Sequence, residues 1–129
     1  MNPLAPLTYL GESPNRGRGI FAAERIADGT LIEVCPVIVI PGPETDDLMR
    51  TALRDYRFLW GALGDDSAIA LGWGSLYNHS NAPNAMYVKK YDQRVIEFVA
   101  IADIAKDEEI TVSYNGGIGD KSPVWFEVK

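Results

Sequence analysis

The sequence predicts a single, mostly-β domain, and three observations carry that prediction. The chain has 129 residues, enough to bury one core and too few for two. Its 12 Gly and 8 Pro divide it into short pieces. Between those breaks lie β-branched and aromatic runs of strand length, with little helical periodicity.

Residues 7–10 read as a short first strand, followed by the turn-rich GESPNRGRG. IFAAERI (20–26) is the second, closed by the Ala27-Asp28-Gly29 turn. TLIEVCPVIVI (30–40) is a long β-branched run, and Pro36 inside it predicts an edge strand, a bulge or a break. Pro41-Gly42-Pro43 ends that unit. Thr45 or Asp46 can cap a short helix over 46–54, with Leu48, Met49, Ala52 and Leu53 on one face. From Tyr56 the spacing changes: Tyr56, Phe58 and Trp60 alternate, which predicts a strand over 56–60. A turn at 64–66 leads to a matching strand, AIAL (68–71). AMYVKKY (85–91) and RVIEFVAIADI (94–104) flank a tight Asp92-Gln93 turn as the clearest hairpin. A polar turn at 106–109 precedes the last strand, ITVSY (110–114).

The net charge of -6 and the scattered Lys and Arg argue against nucleic acid as a direct ligand. The same acidity suits a basic partner such as a lysine-rich peptide. A single cysteine, Cys35, leaves no disulfide within the chain and no cysteine-based zinc cluster. It lies in an apolar run, where a buried, inert thiol is the expectation. The N-terminus lacks the basic and apolar regions of a signal peptide, and no window is long enough to span a membrane. These features point to a reducing, intracellular compartment.

The one histidine, His79, stands in LYNHSNAPNA. With one histidine and one cysteine, no metal site is expected. Hydrolysis lacks a G-x-S-x-G elbow, and Ser80 would point away from His79 in an extended segment. NRGRG contains a G-x-G but precedes a strand and lacks the third glycine and helix of a dinucleotide site. Tyrosine is the abundant polar group: Tyr56, Tyr77, Tyr87, Tyr91 and Tyr114 sit in or beside strands, near Trp60, Trp73, Phe58 and Phe98. They are either a large aromatic core or the walls of a channel for a long side chain ending in an amine. Spacing alone does not choose.

Four segments, taken in order, carry more. NRGRGIFAAERIADGTLI, TALRDYRFLW, YNHSNAPNA and EEITVSYN together resemble the SET-domain protein lysine methyltransferases, over residues 7 to 115. The likeness is to compact members without the cysteine-rich flanking zinc modules, similar to the small viral histone methyltransferases. It implies a fold of several small sheets with a C-terminal pseudoknot and one or two short helices, an exception to the rule against threaded chains. Residues 1–129 would then be one SET domain, with 116–129 a short flank completing the adenine pocket.

The resemblance further implies S-adenosylmethionine as cofactor and a lysine-containing protein, such as a histone or other basic tail, as substrate. Arg16, Gly17, Arg18, Gly19, Asn78 and His79 would cradle the cofactor, with Trp125 stacking on its adenine and Phe126 the second candidate. Tyr114, which would also touch the cofactor, Tyr56 and Tyr87 would be the catalytic group around the amine. Val112 stands where the family often carries a Phe or Tyr that tunes the number of methyl groups. No metal, nucleic acid or membrane is implied, and a homodimer is compatible. The location would be cytoplasmic, or nuclear and on host chromatin if a histone is the substrate. The alternative is a SET-like module that binds cofactor or peptide without turnover; a more remote reading is a structural β-domain whose tyrosines are core.

Overall fold

The computed structural model describes residues 7–14 and 16–114 and the backbone of 118–119. Among the described residues, ten strands form two sheets: β1 (Thr8–Ser13), β2 (Gly17–Ala22), β3 (Leu31–Ile40), β4 (Arg57–Trp60), β5 (Asp66–Ala70), β6 (Asn78–His79), β7 (Ala85–Lys90), β8 (Val95–Ala100), β9 (Glu109–Val112) and β10 (Ile118–Gly119). The first sheet has the order β1-β2-β9-β6, the second β10-β7-β8-β3-β5-β4. No helix among the described residues is long and apolar enough to cross a membrane.

The expected β7–β8 hairpin is present, in register from Ala85 opposite Ala100 to Lys90 opposite Val95. Its burial alternates strictly, so Ala85, Tyr87 and Lys89 face the core with Ile96, Phe98 and Ala100. Arg94, at φ 56°, closes the turn. The long β3 is not broken at Pro36. It changes partner there: residues 31–36 pair with β8 and residues 37–40 with β5. Its irregularity is a bulge between Leu31 and Glu33.

β1 and β2 reach into the expected turn, to Ser13 and from Gly17, and β10 is not among the expected strands. Two further elements differ from the sequence expectation. The helix expected over 46–54 is a single α-helical turn, α1 (Thr45–Leu48), between 3-10 turns at Gly42–Glu44 and Ala52–Tyr56. Thr51 ends it: its hydroxyl donates to the Leu48 carbonyl and accepts from the Leu53 amide, a local alternative to helix continuation. The strand expected over 20–26 is β2, which begins at Gly17 and ends at Ala22; Ile26 pairs only as a single bridge with Ile104.

One core joins the sheets, built on Ile20, Cys35, Tyr77, Phe98, Ile104 and Ile110. Phe98 stacks on Tyr77 at 4.4 Å between ring centres, and Phe58 meets Tyr87 edge to face at 5.1 Å. The parallel β6–β9 pair, with Asn78 opposite Thr111 and His79 opposite Val112, joins the two segments expected to cross. That pairing positions the site.

Candidate active site

The β6–β9 pair is short, and side chains reinforce it. Asn84 acts as an extra rung: its Nδ2 donates to the Glu109 carbonyl and its Oδ1 accepts from the Thr111 amide, both at 2.9 Å. The Ser80 amide donates to the Val112 carbonyl at 2.9 Å and extends the ladder. Tyr114 follows two residues beyond β9 and is anchored at three points. Its amide donates to His79 Nδ1 (3.0 Å), its hydroxyl to the Tyr77 carbonyl (2.8 Å), and its carbonyl accepts from the Tyr87 hydroxyl (3.2 Å). Because His79 Nδ1 accepts, the ring proton belongs on Nε2, which lies 3.1 Å from Asn81 Oδ1. Both nitrogens of the histidine are thereby engaged in holding a loop.

Tyr77 is itself fixed from below. Its hydroxyl donates to Glu33 Oε1 at 2.6 Å, and Glu33 Oε2 accepts from the Trp73 amide at 3.0 Å. Burial, then the neighbouring Glu33 carboxylate, raises the Tyr77 phenol well above its ordinary value. The same two causes raise the Cys35 thiol, which is buried as expected and is not a nucleophile. Burial, followed by the nearby Tyr56, raises Tyr114, so its hydroxyl keeps its proton.

Around Glu109, at the start of β9, a second cluster forms. Its Oε1 accepts from Ser13 Oγ at 2.8 Å and Arg16 Nη1 at 3.2 Å, and its Oε2 from Asn78 Nδ2 at 2.8 Å. Asn78 Nδ2 also donates to the Arg18 carbonyl at 2.9 Å. A Cβ on Gly19 would collide with Glu109 Oε2 and come within 2.9 Å of Asn78 Nδ2. Gly19 is therefore required by close approach, whereas Gly17 is required by its φ of +78°.

Two cavities meet over these clusters. The larger, about 340 Å³, is walled by Tyr56, Phe58, Tyr77, Tyr87, Val112 and Tyr114, with Arg54 and Arg57 also lining it. The smaller, about 90 Å³, is lined by Arg16, Arg18, Leu76 and Asn78. Asp55, Tyr56, Ser75 and Tyr114 line both and form the partition. One side is mostly aromatic; the other offers cationic and amide groups.

Of the residues expected from sequence, Tyr56, Tyr87 and Tyr114 line the aromatic cavity, and Arg16, Arg18 and Asn78 the polar one. His79 borders the aromatic cavity and not the polar one, and Gly17 and Gly19 shape the backbone beside Asn78. Trp125 and Phe126 lie outside the described residues. Sequence reasoning missed Glu109, Glu33 and Asn84. Glu109 stood inside a segment singled out for its tyrosine, but only the β2–β9 register, Phe21 opposite Glu109, carries it to the Gly-X-Gly turn.

The group that would occupy these cavities can be tested against their shape. Arg16, Arg18 and the Asn78 amide, which line the smaller cavity, fit the amino-acid end of a nucleoside-bearing amino acid. A cavity of about 90 Å³ holds one end of such a ligand and not all of it.

Comparison with known proteins agrees with this geometry. A family model described as SET domain matches residues 17–115. The histone-lysine N-methyltransferase of Schizosaccharomyces pombe specific for H3 lysine-37 is 32% identical over 117 residues, 90% of this chain and 74% of that protein. A Plasmodium falciparum crystal structure, assigned as a histone methyltransferase, superposes with a TM-score of 0.69 at 33% identity. The match covers 84% of this chain and 93% of the other. Polycomb Repressive Complex 2 of Chaetomium thermophilum, solved in an autoinhibited conformation with S-adenosylmethionine, gives 0.68 at 26% identity over 85% of this chain and 15% of the larger one.

Proposed function

The chain belongs to the SET-domain family and is an S-adenosylmethionine-dependent protein-lysine methyltransferase, and from that premise we propose how its own residues divide the work. The supporting observation is the partition: Tyr56 and Tyr114 stand between a polar and an aromatic cavity. Arg16, Arg18 and Asn78 receive the amino-acid end of the cofactor, with Glu109 holding Arg16 and Asn78 in place and Gly19 letting Glu109 and Asn78 approach the backbone. Gly17 sets the turn, and His79 acts through the Tyr114 amide. Trp125, outside the described residues, is the one that the family resemblance would assign to the adenine side.

When bound, S-adenosylmethionine supplies a methyl group on a positively charged sulfur. The substrate lysine enters through the aromatic cavity between Phe58, Tyr87 and Val112. The free amine has a pKa of about 10.4 and must lose its proton before it can attack. Burial in the aromatic cavity, facing a cation, lowers that value. No dedicated base is then required. Tyr114 and Tyr56 orient the amine at the partition, and the rate gain comes chiefly from alignment. The Tyr114 hydroxyl, which donates to the Tyr77 carbonyl, keeps its oxygen lone pairs for weak contacts with the polarised methyl. Val112 is a small side chain in the aromatic wall and leaves room for more than one methyl group.

The substrate is a basic protein segment, in keeping with the -6 charge of the chain. The enzyme works inside the cell, in the nucleus where the target is a histone, and it does not bind nucleic acid directly. Incubation with labelled cofactor and histones or total lysate tests the assignment of roles, with Tyr114→Phe alongside. Label on lysine that Tyr114→Phe sharply reduces supports it; equal labelling by both proteins refutes it.

A further inference from the structure

Over β7, β8 and most of β3 the six-stranded sheet buries one face and leaves the other partly open. On β3 the outward residues are Val34 (47% exposed), Pro36 and Ile38 (53%). The register places Glu97 and Val95 of β8 beside Val34 and Pro36, and Ile69 of β5 beside Ile38. Val88 and Lys90 of β7 continue the same rows. Leu71, whose amide donates to the Pro36 carbonyl, adds a further apolar side chain at 43% exposure. Antiparallel partners directly opposite share a face, so these side chains form one apolar surface across β7, β8, β3 and β5. A contiguous apolar patch of this kind marks an interface.

Its charges indicate what covers it. Glu97 lies opposite Val88 and Lys90 opposite Val95, so a carboxylate and an ammonium stand two positions apart on adjacent strands within the patch. Both are half-buried, and among the described residues neither takes part in an ion pair. A patch with one unpaired charge of each sign, set off centre among aliphatic side chains, complements itself under a twofold rotation. In such an isologous contact the Glu97 of each copy meets the Lys90 of the other. We propose that this face is the surface through which a second copy of the chain docks, forming a twofold dimer with reciprocal Glu97–Lys90 ion pairs inside an aliphatic contact.

The test is the mass in solution, which does not depend on the methyltransferase reading. Sedimentation velocity over a concentration series should show the wild type as a dimer. Lys90→Glu and Glu97→Lys, each placing like charges opposite one another, should each raise the dimer dissociation constant at least tenfold. The double variant Lys90→Glu/Glu97→Lys should restore dimerisation, since the pair is only reversed. Ile38→Glu, at a position already half exposed, should give a folded monomer by circular dichroism. A wild type that stays monomeric throughout, a double variant no better than the singles, or a folded Ile38→Glu that still dimerises would each overturn the proposal.

Discussion

The backbone amide of Tyr114 donates to Nδ1 of His79 at 3.0 Å, so the one histidine holds in place the tyrosine that separates the two cavities. The bond closes a loop between residues 35 positions apart in sequence. It accounts for a histidine in a site whose proposed chemistry needs neither a metal ligand nor a general base.

Replacing that ring is therefore expected to act through position. His79→Ala removes the bonds to the Tyr114 amide and to Asn81, each contributing about 1 kcal/mol. Stability in urea should fall by about 1–3 kcal/mol. The turnover number should fall as well, while the variant remains folded at neutral pH.

Tyr114→Phe keeps the ring and loses the hydroxyl that donates to the Tyr77 carbonyl. Misalignment of the reacting groups should lower kcat by about 100-fold with little change in peptide KM. A radiometric assay at saturating cofactor reads this directly.

Gly19→Ala places a methyl group against Glu109 Oε2 and Asn78 Nδ2. The cluster must open, and with it the polar cavity. Cofactor affinity measured by calorimetry should weaken by about tenfold or more, a change of about 1.4 kcal/mol. Glu109→Ala should do the same by releasing Ser13, Arg16 and Asn78 together.

Alkaline pH should unfold the protein by a traceable route. Cys35 and Tyr77 both have raised values in the fold, through burial and then the Glu33 charge. The folded chain retains protons that the unfolded chain releases. Their contribution is complete below the ordinary values of about 8.5 and about 10, and is lost as pH rises beyond them. Urea midpoints from about pH 8 to about pH 11 should fall less steeply for Tyr77→Phe than for wild type.

The parts of the fold that local pattern encodes were legible in advance. Alternation over 85–100 gave the β7–β8 hairpin, because one face of that sheet is buried and the pleat has a period of two. The helix at 46–54 misled because apolar spacing there cannot weigh the Thr51 hydroxyl, which competes for the backbone. At the site, the four motifs named the tyrosines and the Asn78-His79 pair. They did not reveal Glu109 or Glu33, whose roles depend on partners 31 to 96 positions away in sequence. Charged residues in strands resemble ordinary solvated positions until the register brings their partners near.

The parallel β6–β9 pair has a consequence for biosynthesis. Residues 109–114 supply Glu109 for one pocket and the phenol for the other, and both settle only once this late segment has docked beside Asn78 and His79. A nascent polypeptide in which residues 109–114 are still inside the ribosome can form the β7–β8 hairpin, yet it has no competent centre. Modification of neighbouring proteins by half-made chains is thereby prevented by the order in which the strands emerge.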